Sequence, residues 1–168
     1  MTLSDTGSLP PEGGSLSAAL ATLQAPGLVS VSALTAATSG AGSLAKSAAS
    51  VTHLSVLPGT AAALTASLVQ AQTQAACDDS GQAAATGSTQ IVNLTLGDHP
   101  ILVTGAPNQT VALLGGAITL IINEQVAGVP DGSTAITVNA LHLKVAGRAD
   151  VIVASASSGI TCAPIVLT

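Results

Sequence analysis

The chain has 168 residues, of which 48% are hydrophobic and only 7% are charged, with a formal net charge of −5. Charged residues make up about a quarter of an ordinary globular protein, so this surface must consist largely of small neutral side chains. The cations Lys46, Lys144 and Arg148 are too few to neutralise a run of phosphates, which argues strongly against nucleic-acid binding. The absence of Phe, Tyr and Trp argues against stacking on bases or sugars.

No segment predicts a membrane span or an export signal. The longest apolar run, Val111–Ile122, contains Gly115 and Gly116 and is shorter than the ~20 residues that a spanning helix needs. The first residues lack a basic region followed by an apolar core, so no signal peptide is visible. Our interpretation is that Met1 was added to a trimmed mature chain whose export signal and anchor have been removed.

Two regions are predicted along the chain. Residues 1–27 are rich in Ser, Gly and Pro and predict a mobile or extended N-terminal arm, with one short helical turn as the alternative near its end. Residues 28–168 predict a single β domain. Its first strand starts at Leu28, where small apolar residues alternate with serines, and a turn is expected at residues 39–42.

A hairpin pattern occurs twice, about 40 residues apart. Residues 51–56, which precede the turn at Pro58-Gly59, align with residues 91–96, and the turn at residues 79–81 takes the place of the turn at 39–42. Because side chains alternate along a strand, one face of each copy should be buried and the other exposed. The residues predicted to face inward are Leu54, Val56, Leu94 and Leu96, and those predicted to face outward are His53, Ser55, Asn93 and Thr95.

Further strands are predicted at residues 101–104, 110–114 and 117–123, with a hairpin at Gly115-Gly116. A turn at residues 129–132 precedes a last pair of strands, 136–145 and 151–157, which meet at Gly147. Many short strands without helical periodicity predict an all-β fold, an antiparallel β-sandwich or barrel built from repeated hairpins. A β-solenoid is the alternative, since the chain contains a repeat of small residues.

Cys77 and Cys162 are the only cysteines. Two cysteines without nearby histidines do not make a zinc site, so we predict a disulfide between them, with two buried free thiols as the alternative. In the chain-entropy model, such a bond stabilises the fold by about 4 kcal/mol. A disulfide also favours an oxidising, extracellular compartment.

Several motifs resemble the actinobacterial secreted proteins named choice-of-anchor family P. These are residues 107–110, Asn123-Glu124-Gln125, residues 132–142, Asp150–Ser155 and Gly159–Cys162, in that order within the stretch 28–163. The resemblance implies export, a disulfide between Cys77 and Cys162, and a variable cell-surface anchor. It implies no known activity, and the sequence shows neither a signal peptide nor a sorting tail, so the mode of attachment stays open.

Catalytic residues are not predicted. Ser43 and Lys46 match the Ser-x-x-Lys pattern, but the partner motifs of that chemistry are absent. His53, His99 and His142 could serve a serine hydrolase, yet no nucleophile elbow occurs, and we expect all three to be exposed or edge polar residues. We therefore predict that the chain is not an enzyme.

No cofactor or metal site is predicted either. The acidic residues near loops lack calcium-loop spacing and are expected to be solvated turn acids; they are Asp78, Asp79, Asp98, Asp131 and Asp150. The polar triplet Asn123, Glu124 and Gln125 follows an apolar strand and predicts a structural corner. We expect Glu124 to accept backbone hydrogen bonds there or to meet Lys144 or Arg148.

These observations predict a secreted, cell-surface structural protein that self-assembles into filaments or a surface layer by strand addition, with residues 1–27 as the added strand. The partners expected are copies of the same chain and a cell-wall or surface partner. The alternative is a monomeric extracellular module for ligand binding or adhesion. Ice binding is disfavoured because the threonines are irregularly spaced.

Overall fold

The computed structural model describes residues 14–20, 23–25, 27–128 and 133–163. In these residues the chain forms thirteen strands in two antiparallel sheets that pack face to face. Neither sheet closes on itself, so the all-β prediction is confirmed in its sandwich form. The strands of sheet A are β1 (Gly14–Leu20), β2 (Leu23–Ala25), β3 (Val29–Val31), β4 (Ala33–Ala41), β5 (Leu44–Val56), β6 (Leu64–Cys77), β7 (Ala83–Val92), β8 (Thr95–Leu96) and β9 (His99–Pro100). Those of sheet B are β10 (Gln109–Leu113), β11 (Ile118–Gly128), β12 (Thr134–Val145) and β13 (Ala149–Ile160).

Five strands of sheet A lie side by side in the order β1-β4-β5-β6-β7. Sheet B has the order β10-β11-β12-β13. Strand β13 packs over β5 and β6, and β12 packs over β6 and β7. The core therefore lies between the middle strands of the two sheets and includes Leu34 of β4, while β1 lies outside the part of sheet A that β12 and β13 cover.

The core consists of small aliphatic side chains. The largest fully buried ones include Leu64, Leu96, Leu120, Leu141 and Leu143. Since the chain has no aromatic residue to fill a wide gap, the sheets must approach closely to bury this surface. Removing it from water is the main force that holds the two sheets together.

The predicted repeat of two hairpins is present as β4–β5 and β6–β7. The four residues predicted to face inward are all buried, whereas His53 and Asn93 are exposed. The first turn differs from the prediction, because Ala41 pairs with Leu44 and strand β4 therefore continues through Gly40. Gly42 adopts a φ of 53° and supplies the left-handed residue of this tight turn.

Simple alternation fails along one row that crosses sheet A. The residues of this row are Ser32, His53, Ser67 and Asn93. His53 and Asn93 are left-handed, with φ of 49° and 55°, and Asn93 Nδ2 donates to Ser67 Oγ at 3.0 Å. On the two sides of the row, successive buried residues are three positions apart instead of two. These pairs are Val31 and Leu34, Val51 and Leu54, and Ala66 and Val69. We call such a row a pleat reversal.

Sheet B contains a second pleat reversal. Its residues are Asn123, Ala140 and Ala154, one on each of β11, β12 and β13. Asn123 and Ala154 are both left-handed, with φ of 55°. The buried pairs that flank the row are again three positions apart: Val138 and Leu141, and Val153 and Ala156. Asparagine tolerates this conformation better than most residues. The methyl side chain of Ala154 does not favour the left-handed conformation, so the pairing of β13 within the sheet must impose it.

In the predicted N-terminal arm, residues 14–20 and 23–25 are extended strands of sheet A, and the alternative of a short helical turn does not occur in them. Two other predictions differ from the structure or lie outside it. The prediction of a strand at 101–104 is wrong, because this segment crosses from sheet A to sheet B without pairing in a ladder. The predicted turn at 129–132 lies outside the described residues.

A disulfide joins the two layers. Cys77, the last residue of β6, bonds to Cys162, which follows β13, with an S–S distance of 2.10 Å and a Cα–Cα distance of 5.7 Å. The bond therefore connects sheet A to sheet B at one end of the sandwich.

Gly87 of β7 packs closely against Val138 of sheet B. A Cβ atom built there would lie 2.2 Å from Val138 Cγ2. We expect Gly87→Ala to destabilise the fold by about 1–3 kcal/mol, because the added methyl overpacks the core. Urea unfolding measures this change. The neighbouring variant Ser88→Ala, on the exposed face of the same strand, is the control and should change stability by less than about 0.5 kcal/mol. Equal stability of the two variants would contradict the close contact.

Candidate functional site

The largest group of interacting charged residues in the described part of the chain lies on the outer face of sheet B. His142 of β12 is buried between two carboxylates. Its Nδ1 lies 2.9 Å from Glu124 Oε2 on β11, and its Nε2 lies 2.7 Å from Asp150 Oδ1 on β13. We call these three residues the Glu-His-Asp cluster.

Two amide and hydroxyl groups extend the cluster across the sheet. Asn139 Nδ2 donates to Glu124 Oε2 at 2.7 Å, and Ser155 Oγ donates to Asn139 Oδ1 at 2.7 Å. In the sheet, Asn139 pairs with Glu124 on one side and with Ser155 on the other. The pleat reversal lies between this row and His142, and it places residues 139 and 142 on the same outer face although they are three positions apart.

Both ring nitrogens of His142 face carboxylate oxygens, which accept hydrogen bonds and do not donate them when ionised. Ser155 is hydrogen-bonded to Asn139, and His142 has both nitrogens occupied, so the cluster is not a serine nucleophile with its base.

The surroundings of Glu124 favour its ionised form. Burial raises the pKa of this carboxyl, but hydrogen bonds from Asn139 and His142 and the positive charges of His142 and Lys144 together lower it below its ordinary value of 4.5. The carboxylate therefore contributes stability when it is ionised. This contribution is present above the unfolded pKa and is lost as the pH falls through the lower folded pKa.

The structure bears on the expectations for three residues. Glu124 accepts hydrogen bonds from the side chains of His142 and Asn139, and the expected influence of Lys144 is present, since its charge helps to lower the pKa of Glu124. His142 is buried in the cluster instead of exposed, and Asp150 is bonded to it instead of only solvated. Sequence reasoning missed the cluster because alternation places residues 139 and 142 on opposite faces unless a pleat reversal lies between them.

The other two members of the polar triplet act on different neighbours. Asn123 is buried, and its Nδ2 donates to Gly105 O at 3.1 Å. Gln125 points toward sheet A, where its Nε2 donates to Gly87 O at 3.1 Å and to Asn123 Oδ1 at 3.0 Å. Asn123 thus holds the segment that passes between the sheets, and Gln125 joins β11 to β7 of sheet A.

The remaining candidates do not come together. His53 is exposed on β5, His99 is exposed on β9, and Ser43 lies in the turn before Lys46 of β5. Asp78 caps its own turn by accepting hydrogen bonds from Ser80 and from the backbone N–H of Gln82, which lower its pKa. In the described residues, no group of three or more His, Cys, Asp or Glu side chains could hold a metal ion.

A trough of about 660 Å³ crosses the outer face of sheet A. One wall is formed by Ser15, Ser39, Lys46, Gln74 and Thr86, which pair across five strands. The other wall is formed by Ser17, Ala37, Ala48, Gln72 and Ser88. The floor is the backbone of the row between them, whose side chains point inward. Thr73 of that row is buried, with its Oγ1 2.8 Å from Ser158 Oγ of sheet B.

The trough spans five strands, or about 19 Å at the usual strand spacing of ~4.8 Å. Among the described residues that line it, Lys46 is the only one with a charged side chain. The trough therefore combines hydroxyls, amides and one cation along an elongated surface. The sequence indicates part of the trough, since Gln70, Gln72 and Gln74 recur with period two and lie on one face of β6. It does not show which strands lie beside β6 and complete the walls.

Comparisons with known proteins found no matching family model, no matching curated protein and no matching solved structure. The described residues contain no helix that is long and apolar enough to cross a membrane. The resemblance to choice-of-anchor family P stays a prediction.

We expect Glu124→Gln to remove part of the acid sensitivity of the fold. At pH 7 the variant should lose about 1–3 kcal/mol, because a charge-assisted hydrogen bond to a buried partner is lost. In the wild type, stability should fall as the pH drops below about 4.5, and in the variant this fall should be smaller. Urea unfolding between pH 3 and 7 measures both effects.

Asp79→Asn is the matched control, since Asp79 is an exposed carboxylate outside the cluster. It should leave the pH dependence of stability as in the wild type. The structural account of Glu124 would be wrong if the two variants had the same pH profile.

Proposed function

We propose that this chain is a secreted structural protein of the cell surface that assembles with copies of itself through its sheet edges. The observation that carries the proposal is the composition of the edge strands. Strands β1 and β7, at the two sides of the five-stranded part of sheet A, contain no charged residue and no proline. Natural sheets usually protect such edges with charges or prolines, because an open edge pairs readily with another strand.

The topology supports growth in a line. Each strand in the order β1-β4-β5-β6-β7 is antiparallel to its neighbour, so the two edge strands run in the same direction. A two-fold axis at either edge would pair a strand with its own copy in the antiparallel sense, which is the more stable arrangement. Alternating two-fold contacts at β1 and β7 would produce an open filament.

The low charge supports the same proposal. With 7% charged residues, copies repel one another weakly and can approach closely. The disulfide between Cys77 and Cys162 is compatible with an extracellular location, where such bonds persist. The export and anchoring implied by the family resemblance belong to this proposal.

The test is assembly of the purified chain, measured by light scattering and electron microscopy over a range of concentrations. We expect elongated particles whose mass increases with concentration. The double variant Ser17→Lys/Ser88→Lys should stay monomeric, because like charges directly opposite each other across an edge are unfavourable. Gln70→Lys/Gln72→Lys adds the same charge on the central strand β6, where neither residue lies directly opposite a charged side chain, and should assemble as the wild type does.

A wild-type protein that remains a monodisperse monomer at the highest attainable concentration would overturn the proposal. Equal loss of assembly in both double variants would show that added charge, and not the sheet edge, controls association.

The trough favours a second candidate function, a binding module for an extended, hydroxyl-rich ligand with an anionic group. Lys46 supplies the charge, and the surrounding serines, threonines and glutamines supply donors and acceptors for hydroxyls. Aromatic stacking is absent from this site, so recognition would depend on hydrogen bonds and on the single cation.

Calorimetric titration with an oligogalacturonate, and separately with the uncharged maltohexaose, tests this candidate. We expect binding of the acidic oligomer only, with at least a tenfold loss in Lys46→Gln, since a charge-assisted hydrogen bond is worth about 1.5–3 kcal/mol. Lys144→Gln, on the other sheet, should bind as the wild type does. No binding of either oligomer would remove this candidate.

A further inference from the structure

The edges of sheet A differ in how well they are protected. At β7, Gln125 of sheet B donates to the backbone oxygen of Gly87 at 3.1 Å and so occupies a carbonyl in the middle of the strand. The short edge strand β9 ends at Pro100, and β2 has only three residues, Leu23–Ala25. Each of these features hinders the addition of another strand.

The edges of sheet B are protected as well. Strand β10 has five residues, and the side chain of Gln109 holds the preceding segment in place through bonds to Thr104 N at 2.8 Å and Leu102 O at 2.6 Å. Strand β13 carries the charged Asp150 and is interrupted by the left-handed Ala154. A left-handed residue disturbs the straight row of backbone groups that a new strand would need.

Strand β1 has none of these features. Its seven residues, Gly14–Leu20, include no charge and no proline, and all seven pair with β4 without interruption. In the described residues, no strand pairs with its other side. Leu16 lies on the same face as Thr38 and is 37% exposed, so an apolar side chain is available beside the open edge. The neighbouring strand β4 is also uncharged.

We propose that β1 pairs with β1 of a second copy of the chain, antiparallel, around a two-fold axis at Ser17. This inference rests on the proposed function and names the first contact of the assembly. The register centred on Ser17 pairs all seven residues of both strands. It sets Leu16 beside Ala18 of the second copy on the inward face, where each covers part of the other's exposed surface.

The two-fold contact makes one sheet of ten long strands from the two five-stranded halves. No charged side chain lies on the two strands at either side of the junction, so the contact involves no like-charge repulsion. The troughs of the two copies meet at the same junction, because Ser15 and Ser17 lie on the outer face of β1.

A single cysteine at the axis tests the contact. The native cysteines are paired with each other, so Ser17→Cys introduces a free thiol that has no partner in the described structure of its own chain. Directly opposite residues of antiparallel strands have Cα atoms about 4.5–5.5 Å apart, within the range of a disulfide. Mild oxidation should therefore convert most of the Ser17→Cys protein into a covalent dimer on a non-reducing gel.

Two variants serve as controls. Ser15→Cys lies on the same face of the same strand, but in this register its copies are four positions apart, or roughly 13 Å, and should not cross-link. Ser88→Cys places a thiol on the β7 edge, where Gln125 occupies a backbone carbonyl and hinders pairing, and it should cross-link much less than Ser17→Cys under the same oxidation.

Three results would overturn the inference. Cross-linking of Ser15→Cys as efficient as that of Ser17→Cys would exclude the register. Cross-linking of Ser88→Cys without that of Ser17→Cys would assign the contact to β7, with the self-assembly function retained. A wild-type protein that stays monomeric, with none of the cysteine variants cross-linked, would remove the contact and the proposed function together.

Discussion

The arrangement of side chains in both sheets depends on the two pleat reversals. In a regular strand, residues three positions apart lie on opposite faces, and here they share one face at Val51 and Leu54 and again at Val138 and Leu141. The left-handed residues in each row switch the face on which the following side chains lie. The pairing register is unaltered, because the opposite strand switches face at the same position. Each sheet can therefore keep apolar side chains inward on both sides of its row.

The reversal in sheet B also creates the Glu-His-Asp cluster. It brings the rows of Glu124 and His142 to the same outer face, where the imidazole is held between carboxylates from the strands on either side. The cluster thereby ties three strands together at the point where their pleat is irregular. Its hydrogen bonds agree with a role in holding the three strands of the sheet together.

The absence of aromatic residues has a separate consequence. Small aliphatic side chains bury enough surface only if the sheets are close, and the contact between Gly87 and Val138 shows how close they are. Because the sheets are close, Gln125 reaches the carbonyl of Gly87 and protects the β7 edge. Strand β1 lies at the opposite side, where sheet A extends beyond sheet B, and no described side chain of sheet B is available there to do the same. The protection of one edge and the openness of the other thus have a common origin in the offset of the sheets.

The sequence by itself determined the all-β class, the repeated hairpins and the inward residues of each repeat, because alternation and turn chemistry are local properties of the chain. It predicted the disulfide between its two cysteines, with two free thiols as the alternative. It failed at residues 101–104, where an apolar segment crosses between sheets without pairing, and at His142, which alternation alone places on an exposed face. Strand order, the offset of the sheets, the trough and the Glu-His-Asp cluster were decided only by the tertiary structure. Each of them depends on which strands become neighbours, and a period of two residues contains no information about that choice.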